Sequence, residues 1–144
     1  MSERPTDNGE DFVLGTKASD LWLYTCDVCA NDKVIPKRYR YTTGTSLMND
    51  VETICELIEG VNLLDPRDRQ EAQDRLRDQK SALRKLEKLG RKIKRLLESK
   101  QYPGVTPEKA RHWSKMVLTV RYMCASWHGK DKERIARAEG VRRR

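Results

Sequence analysis

The chain has 144 residues, of which 37% are hydrophobic, 36% charged and only 6% aromatic, and its net charge is +8. One domain with its own core is expected at this length, and the positive charge favours a polyanionic or acidic partner. A polar start unlike a secretory signal, and the lack of an apolar run near the ~18 residues of a membrane span, predict a cytoplasmic protein with reduced cysteines.

The first predicted helix follows a polar segment. Residues 1–15 have few apolar anchors and are predicted to be flexible. A cap at Ser19 or Asp20 would start the helix, which would end near Asn31. Its predicted buried stripe consists of Leu21, Trp22, Tyr24, Val28 and Cys29.

A connector precedes the second predicted helix. Pro36 pushes Ile35 out of the α region and predicts an extended segment or a turn. Thr42 or Thr43 would then cap a helix that ends around Leu64. Its apolar positions are Leu47, Val51, Ile54, Ile58 and Val61.

The third predicted helix is the longest. Asp65 is its expected cap, Pro66 occupies the first helical position, and the helix runs to about Ser99. Steps of four and three predict an inner stripe formed by Ala72, Leu76, Gln79, Leu83, Leu86, Gly90, Ile93 and Leu97.

The fourth predicted helix follows a turn at Pro103 and Gly104. Thr106 would cap it, Pro107 would take its first position, and Gly129 would end it. Its apolar positions are Trp113, Met116, Val117, Val120, Cys124 and Trp127.

Four helices joined by short loops predict an all-α fold, an antiparallel up-down-up-down bundle. The predicted organisation is a flexible segment at 1–15, the bundle at 16–129 and a basic tail at 130–144. That tail has seven basic and three acidic residues.

The pair Cys26 and Cys29 has the spacing of half a zinc site. No second pair follows, because Cys55, Cys124, His112 and His128 are scattered over different predicted helices. A redox role would need a strand-to-helix setting, which is missing. One turn of a helix with at least one cysteine packed in the core is the preferred interpretation, and neither a metal nor a cofactor is predicted.

The most informative stretch is 80–95, with eight basic residues and one acidic residue, whereas 65–79 has four basic and five acidic residues. Most of these cations fall within a sector of about 80°, centred about 130° from the predicted inner stripe. A solvated face usually mixes signs, so this one is predicted to bind phosphates or an acidic partner. The predicted contact residues are Arg77, Lys80, Arg84, Lys88, Arg91, Lys92 and Arg95.

The connector carries a third basic group besides this face and the tail, formed by Lys37, Arg38 and Arg40. Tyr39 and Tyr41 are interleaved with them. These rings could stack on bases or could pack the connector against the bundle, and the sequence leaves both interpretations open.

No catalytic motif is found in the sequence, which has neither a phosphate-binding glycine loop nor a nucleophile–base pair. His112 is interpreted as a packing or surface residue, and Trp113 and Trp127 as core or subunit contacts. The chain is therefore predicted not to be an enzyme.

Four segments in order, DLWLY, IPKRYRYTTG, LRKLEKLGRKIKRLLESKQY and RYMCASWHG, together resemble a known family. They are similar to the accessory variability determinant proteins of diversity-generating retroelements. The resemblance covers about residues 20–128. It departs from the family at TSLMND, after TTG, where a basic helix start would be expected, and no role is transferred to the cysteines.

The resemblance implies a four-helix bundle that assembles into a ring of five identical subunits. It also implies a non-catalytic partner of a reverse transcriptase and its template RNA, and of the cDNA, in mutagenic retrohoming. Two alternatives are the related bundle proteins encoded in intervening sequences of 23S ribosomal RNA genes, and an oligomeric scaffold that docks an acidic protein.

Overall fold

The structure is a computed structural model that describes residues 12–143, with side chains for 12–141. It is a four-helix bundle, and no strand occurs among the residues described. The all-α prediction is therefore confirmed. The helices are α1 (Val13–Ala30), α2 (Thr45–Leu63), α3 (Arg69–Glu98) and α4 (Pro107–Arg143).

Hydrogen bonds between the helices define the order and direction of the bundle. Each helix packs antiparallel against its neighbours in sequence, and α4 closes the bundle against α1. The hydrogen bonds that join successive pairs of helices are Trp22–Glu52 (2.8 Å), Lys92–Asp50 (2.6 Å), Arg121–Glu87 (3.1 Å) and Trp113–Thr25 (3.0 Å).

None of the described helices is both long and apolar enough to cross a bilayer.

Helix α1 begins earlier than predicted. Leu14 and Ala18 extend its buried stripe toward Val13, so the predicted cap at Ser19 or Asp20 is wrong. Of the segment 1–15 that was predicted to be flexible, Val13–Gly15 are helical, while residues 1–11 lie outside the described part. Trp22, Tyr24 and Cys29 are half-buried at the rim of the core. The buried positions are Leu14, Ala18, Leu21, Thr25 and Val28.

The connector turns inward before α2. Val34 and Ile35 are buried, and a 3-10 turn (Lys37–Tyr39) and a π-helical turn (Arg40–Gly44) lead directly into α2. The predicted cap at Thr42 or Thr43 is therefore wrong, because both residues lie within helical turns and no side chain caps α2. The five predicted core positions of α2 are all buried, as predicted.

Helix α3 begins at Arg69, where the side chain of Asp68 accepts a hydrogen bond from the Glu71 amide at 2.9 Å. The predicted cap at Asp65 is wrong, because Asp65 and Pro66 form a turn before the helix. Half of the predicted inner stripe is displaced by one residue. The buried positions are Ala72, Arg75, Gln79, Ala82, Leu86, Leu89, Ile93 and Leu96.

The first displaced position, which is residue 75 instead of residue 76, has a physical cause. Arg75 is fully buried because Asp131 of α4 accepts a hydrogen bond from its Nε at 2.8 Å. An unpaired arginine could not occupy a core position, so the sequence pattern alone favoured Leu76. Leu76 and Leu83 are instead half-buried, and Leu97 is 36% exposed.

Helix α4 starts at Pro107 with Thr106 as its cap, as predicted: the Thr106 hydroxyl accepts from the Lys109 amide at 3.2 Å. The predicted end at Gly129 is wrong, because the helix continues to Arg143. The bond between Asp131 and Arg75 holds this continuation against α3, and Ile135 is buried as well. The predicted boundary between 129 and 130 thus falls inside a helix.

Candidate nucleic-acid interface

Six of the predicted contact residues form one line of exposed cations on α3, called here the basic ridge. Its members lie on a single face, and their centre is about 180° from the centre of the buried stripe. The ridge therefore faces directly away from the core, whereas the predicted inner stripe lay only about 130° from it. The basic ridge consists of Arg77, Lys80, Arg84, Lys88, Arg91 and Arg95.

Only part of the ridge is neutralised within the chain. Arg77 pairs with Asp74 at 3.0 Å and with Asp78 at 3.1 Å. Arg91 pairs with Glu87 at 3.1 Å. Four ridge cations make no ion pair with the residues that the structure describes: Lys80, Arg84, Lys88 and Arg95.

The unpaired cations repel one another. Lys80, Arg84 and Lys88 follow each other at intervals of four residues, which places them on successive turns of α3. Like charges at this spacing destabilise a helix by about 0.2–0.5 kcal/mol per pair. A bound anion would remove this repulsion, so the ridge is better suited to a polyanion than to solvent alone.

A depression of about 250 Å³ lies beside the ridge, between α2 and α3. Lys85 lines it but was not among the predicted contact residues, because it lies about 100° round the helix from the ridge centre. Lys92 also lines it, but it is bound to Asp50 at 2.6 Å and to Ser46 at 2.7 Å. The role of Lys92 in the structure is therefore to join α3 to α2. The other lining cations are Lys88, Arg91 and Arg95.

The connector cations are on a separate element, next to the loop between α3 and α4. Tyr39 packs against Tyr102 with ring centroids 5.0 Å apart, whereas Tyr41 is 84% exposed. The packing role thus belongs to Tyr39, and only Tyr41 presents a free ring. Arg40 is paired with Asp32. Lys37 and Arg38 are exposed, and Arg38 lies over the Tyr39 ring at 5.0 Å.

The close packing of the connector requires a glycine in the neighbouring loop. A Cβ atom on Gly104 would lie 1.6 Å from the backbone oxygen of Lys33. Such a clash cannot be relieved by moving a side chain, so the backbones meet here only because residue 104 is glycine. This contact fixes the connector cations at the end of the bundle where α3 ends.

The continuation of α4 adds cations next to the N-terminal half of the ridge. Burial, followed by the charges of Lys132 and Lys80, lowers the pKa of His128 from the usual 6.5. The sequence predicted a basic tail but not that the tail continues α4 as a helix, because the sequence pattern gave no sign that Asp131 is buried. The exposed cations on this continuation are Lys130, Lys132, Arg134 and Arg137.

The four cysteines lie on three different helices. Cys26 and Cys29 lie one turn apart on α1, and the Cys29 thiol is directed to the Gly44 carbonyl at 3.7 Å. Among residues 12–143, no three histidine, cysteine or acidic side chains lie close enough together to hold a metal ion. His112 packs edge-on against Tyr24, with ring centroids 4.8 Å apart.

Comparison with known proteins yields no relative: no protein-family model matches the chain, and no curated protein or solved structure shows significant similarity to it.

Proposed function

We propose that this chain is a non-catalytic accessory protein of a diversity-generating retroelement. It binds the template RNA and the reverse transcriptase of the element through its basic surface and thereby supports mutagenic cDNA synthesis. The observation that carries the proposal is the row of four unpaired cations on the outward face of α3. The resemblance of the four sequence segments supplies the biological setting.

The ridge is suited to a phosphate backbone rather than to base edges. From Lys80 to Arg95 it spans about 22 Å of helix, over which one strand of a duplex displays about six phosphates. Long flexible cations on a convex helix contact phosphates and carry little sequence information. RNA binding is therefore expected to be strong at low salt and to show weak base preference.

Assembly into a ring of five, the arrangement that the resemblance implies, would repeat the ridge around the particle. Linked copies bind one RNA at a high effective concentration, so their affinities reinforce one another. Such a particle would hold a long template more firmly than one chain could.

Reversing three ridge charges tests the RNA-binding role. The variant Arg84→Glu, Lys88→Glu, Arg95→Glu is expected to bind single-stranded RNA at least 100-fold more weakly at low salt. The slope of log affinity against log salt concentration should fall in magnitude by about 2, because three phosphate contacts are lost. Fluorescence anisotropy with labelled RNA measures both quantities, and circular dichroism confirms that the helices are intact.

The matched control is Lys17→Glu, Lys109→Glu, Lys115→Glu. It changes the net charge equally, at exposed positions on α1 and α4 outside the ridge. A small loss of affinity is expected for this control. Equal losses in the two variants would show that net charge alone attracts RNA, and the proposed interface would then be wrong.

A further inference from the structure

A groove of about 630 Å³ lies between α3 and α4, centred on the side of α3 away from the depression, and Arg91 lines both. Apolar side chains form its floor and walls, including Leu86, Ile93 and Val117. Two of the lining leucines remain in solvent: Leu97 is 36% exposed and Leu118 is 58% exposed. Covering such a surface releases water from it and is favourable by about 25 cal/mol per Å².

Gly90 keeps the groove open. It lies within the 30-residue helix α3 and lines the groove, and glycine there destabilises the helix by about 1 kcal/mol relative to alanine. A Cβ atom at this position would meet only a methyl group of Val117, at 4.0 Å. Packing of the bundle therefore does not require glycine, whereas a larger side chain would fill the groove.

The rim of the groove is basic. Among the described residues that line it, Glu87 alone is acidic, and it is bound to Arg91 and to Arg121, each at 3.1 Å. Lys94 and Arg111 are exposed and make no ion pair with the described residues. Four cations thus surround an apolar floor, with one carboxylate among them. A complementary occupant has apolar side chains in the middle and carboxylates at both edges.

We propose that this groove binds an acidic amphipathic helix of a protein partner. Its α3 wall, from Leu86 to Leu97, is about 16 Å long, which matches a helix of about three turns with apolar residues at every third or fourth position. Its volume lies within the range of ordinary binding pockets, about 300–1,000 Å³.

The groove is poorly suited to RNA. None of its lining residues is aromatic, so it offers no ring on which a base could stack. Phosphates would gain nothing from a floor of leucine, isoleucine and valine. RNA therefore belongs on the ridge and the protein partner in the groove. The inference rests on the proposed function in one respect: it assigns the protein component of that complex to a site separate from the RNA.

The test uses the full chain and a fluorescein-labelled 14-residue peptide with leucine at every third or fourth position and glutamate at most others. Saturable binding by anisotropy is expected. Gly90→Leu, which fills the groove, should weaken it at least tenfold. Gly60→Leu is the matched control, because Gly60 is also a helical glycine and a Cβ there would meet nothing within 4 Å.

Two further arms test the charges at the rim. The variant Lys94→Glu, Arg111→Glu should weaken binding of the acidic peptide at least tenfold. A peptide with lysine in place of every glutamate should not bind the unmodified chain. Gly90→Leu should leave RNA affinity within twofold of the unmodified chain, because the unpaired ridge cations do not line the groove.

The proposal is overturned if the acidic peptide shows no saturable binding, or if Gly60→Leu weakens it as much as Gly90→Leu. RNA that displaces the peptide, with Gly90→Leu also weakening RNA, would assign the groove to nucleic acid instead. A change of particle mass in Gly90→Leu by light scattering would assign it to a second copy. If peptide binding holds while the ridge variant binds RNA normally, the proposed function fails and the groove assignment stands.

Discussion

Arg75 links three parts of the bundle through one guanidinium group. It donates to the Asp131 carboxylate of α4 at 2.8 Å and to the backbone oxygens of Val61 and Leu64, at 2.9 and 2.8 Å, at the end of α2. Gln79 also donates to Asp131, at 2.7 Å. The Trp127 ring lies 5.3 Å from the guanidinium carbon. A charge in the core is tolerated here because its partners are in the core as well.

Removing the partner of Arg75 is expected to be severe. Asp131→Ala leaves a buried guanidinium without its carboxylate and should lower the free energy of unfolding by about 3–5 kcal/mol. Urea denaturation followed by circular dichroism measures the change. The double variant Arg75→Met, Asp131→Leu should recover at least half of the loss, because it buries no charge. A single variant as stable as the unmodified chain would show that the pair does not hold α4.

Three cysteine thiols are buried enough to remain protonated at neutral pH. Burial raises the pKa of Cys29 and of Cys55 to about 11, with smaller contributions from Cys26 and from the α2 glutamates respectively. Burial also raises the pKa of Cys124 to about 12. Since the thiolate is the nucleophile and metal ligand, these groups are expected to be unreactive near pH 7.

The raised pKa values predict a loss of stability in alkali. Unfolded thiols ionise from about pH 8.5, whereas the folded thiols keep their protons to higher pH. The resulting stabilisation is complete below the unfolded pKa and is lost as pH rises toward 11. Urea midpoints between pH 7 and 10.5, under reducing conditions, should fall more steeply for the unmodified chain than for Cys29→Ala, Cys55→Ala, Cys124→Ala. Parallel curves would contradict this.

At the scale of elements, α4 is the helix whose extent matters most. Beyond Gly129 it buries Asp131 and Ile135, Asp131 pairs with Arg75 of α3, and Arg69 at the start of α3 pairs with Glu139 at 3.5 Å. The segment after Gly129 therefore contributes to the core as well as to the charge of the molecule.

Truncation after residue 129 tests whether the segment beyond it is a dispensable tail or a part of the core. A dispensable tail would leave the melting temperature unchanged, whereas loss of Asp131 and Ile135 should lower it by more than about 10 °C, since several kcal/mol are removed. Gly129→Ala in the full chain should raise stability by up to about 1 kcal/mol, because a helix passes through this position. Destabilisation by alanine would instead indicate a helix end.

The success of sequence reasoning differed between elements for physical reasons. All core positions predicted for α2 are buried, because the inner face of this helix is apolar from Leu47 to Val61 and a polar residue, Asn62, is buried only near its end. The stripe of α3 was partly misplaced because a buried Arg75 depends on a residue 56 positions away, which periodicity cannot detect. All six ridge residues are exposed, as a row of cations predicts, because burying a charge without a partner is costly. The groove was not predicted, because it depends on how α3 and α4 pack.

On the scale of the whole molecule, charge is divided unequally between two neighbouring helices of the bundle. Helix α2 has four acidic and no basic residues, whereas α3 has eleven basic and five acidic ones. Such a molecule has a strongly oriented field, which steers a polyanion toward one side of the particle. The acidic side would repel the same RNA, so binding is expected in one orientation.

The proposed ring of five should depend on salt. Each chain carries a net charge of +8, and five copies in one particle repel one another across a Debye length of about 30 Å at 0.01 M salt but only about 8 Å at 0.15 M. Light scattering should therefore give five times the chain mass of 16.8 kDa at 0.15 M salt and above, and a lower mass at 0.01 M. A mass of one chain at every salt concentration would contradict the ring.

The arrangement around Arg75 also has a consequence for folding during synthesis. The junction between α2 and α3 is completed by Asp131, which is translated 56 residues after Arg75. Until the ribosome has released that part of the chain, Arg75 lacks the Asp131 carboxylate to which its Nε donates. Chains fold as they emerge only as far as their contacts are present. The bundle is thus expected to remain loose at this junction until α4 has been translated, and to close only then.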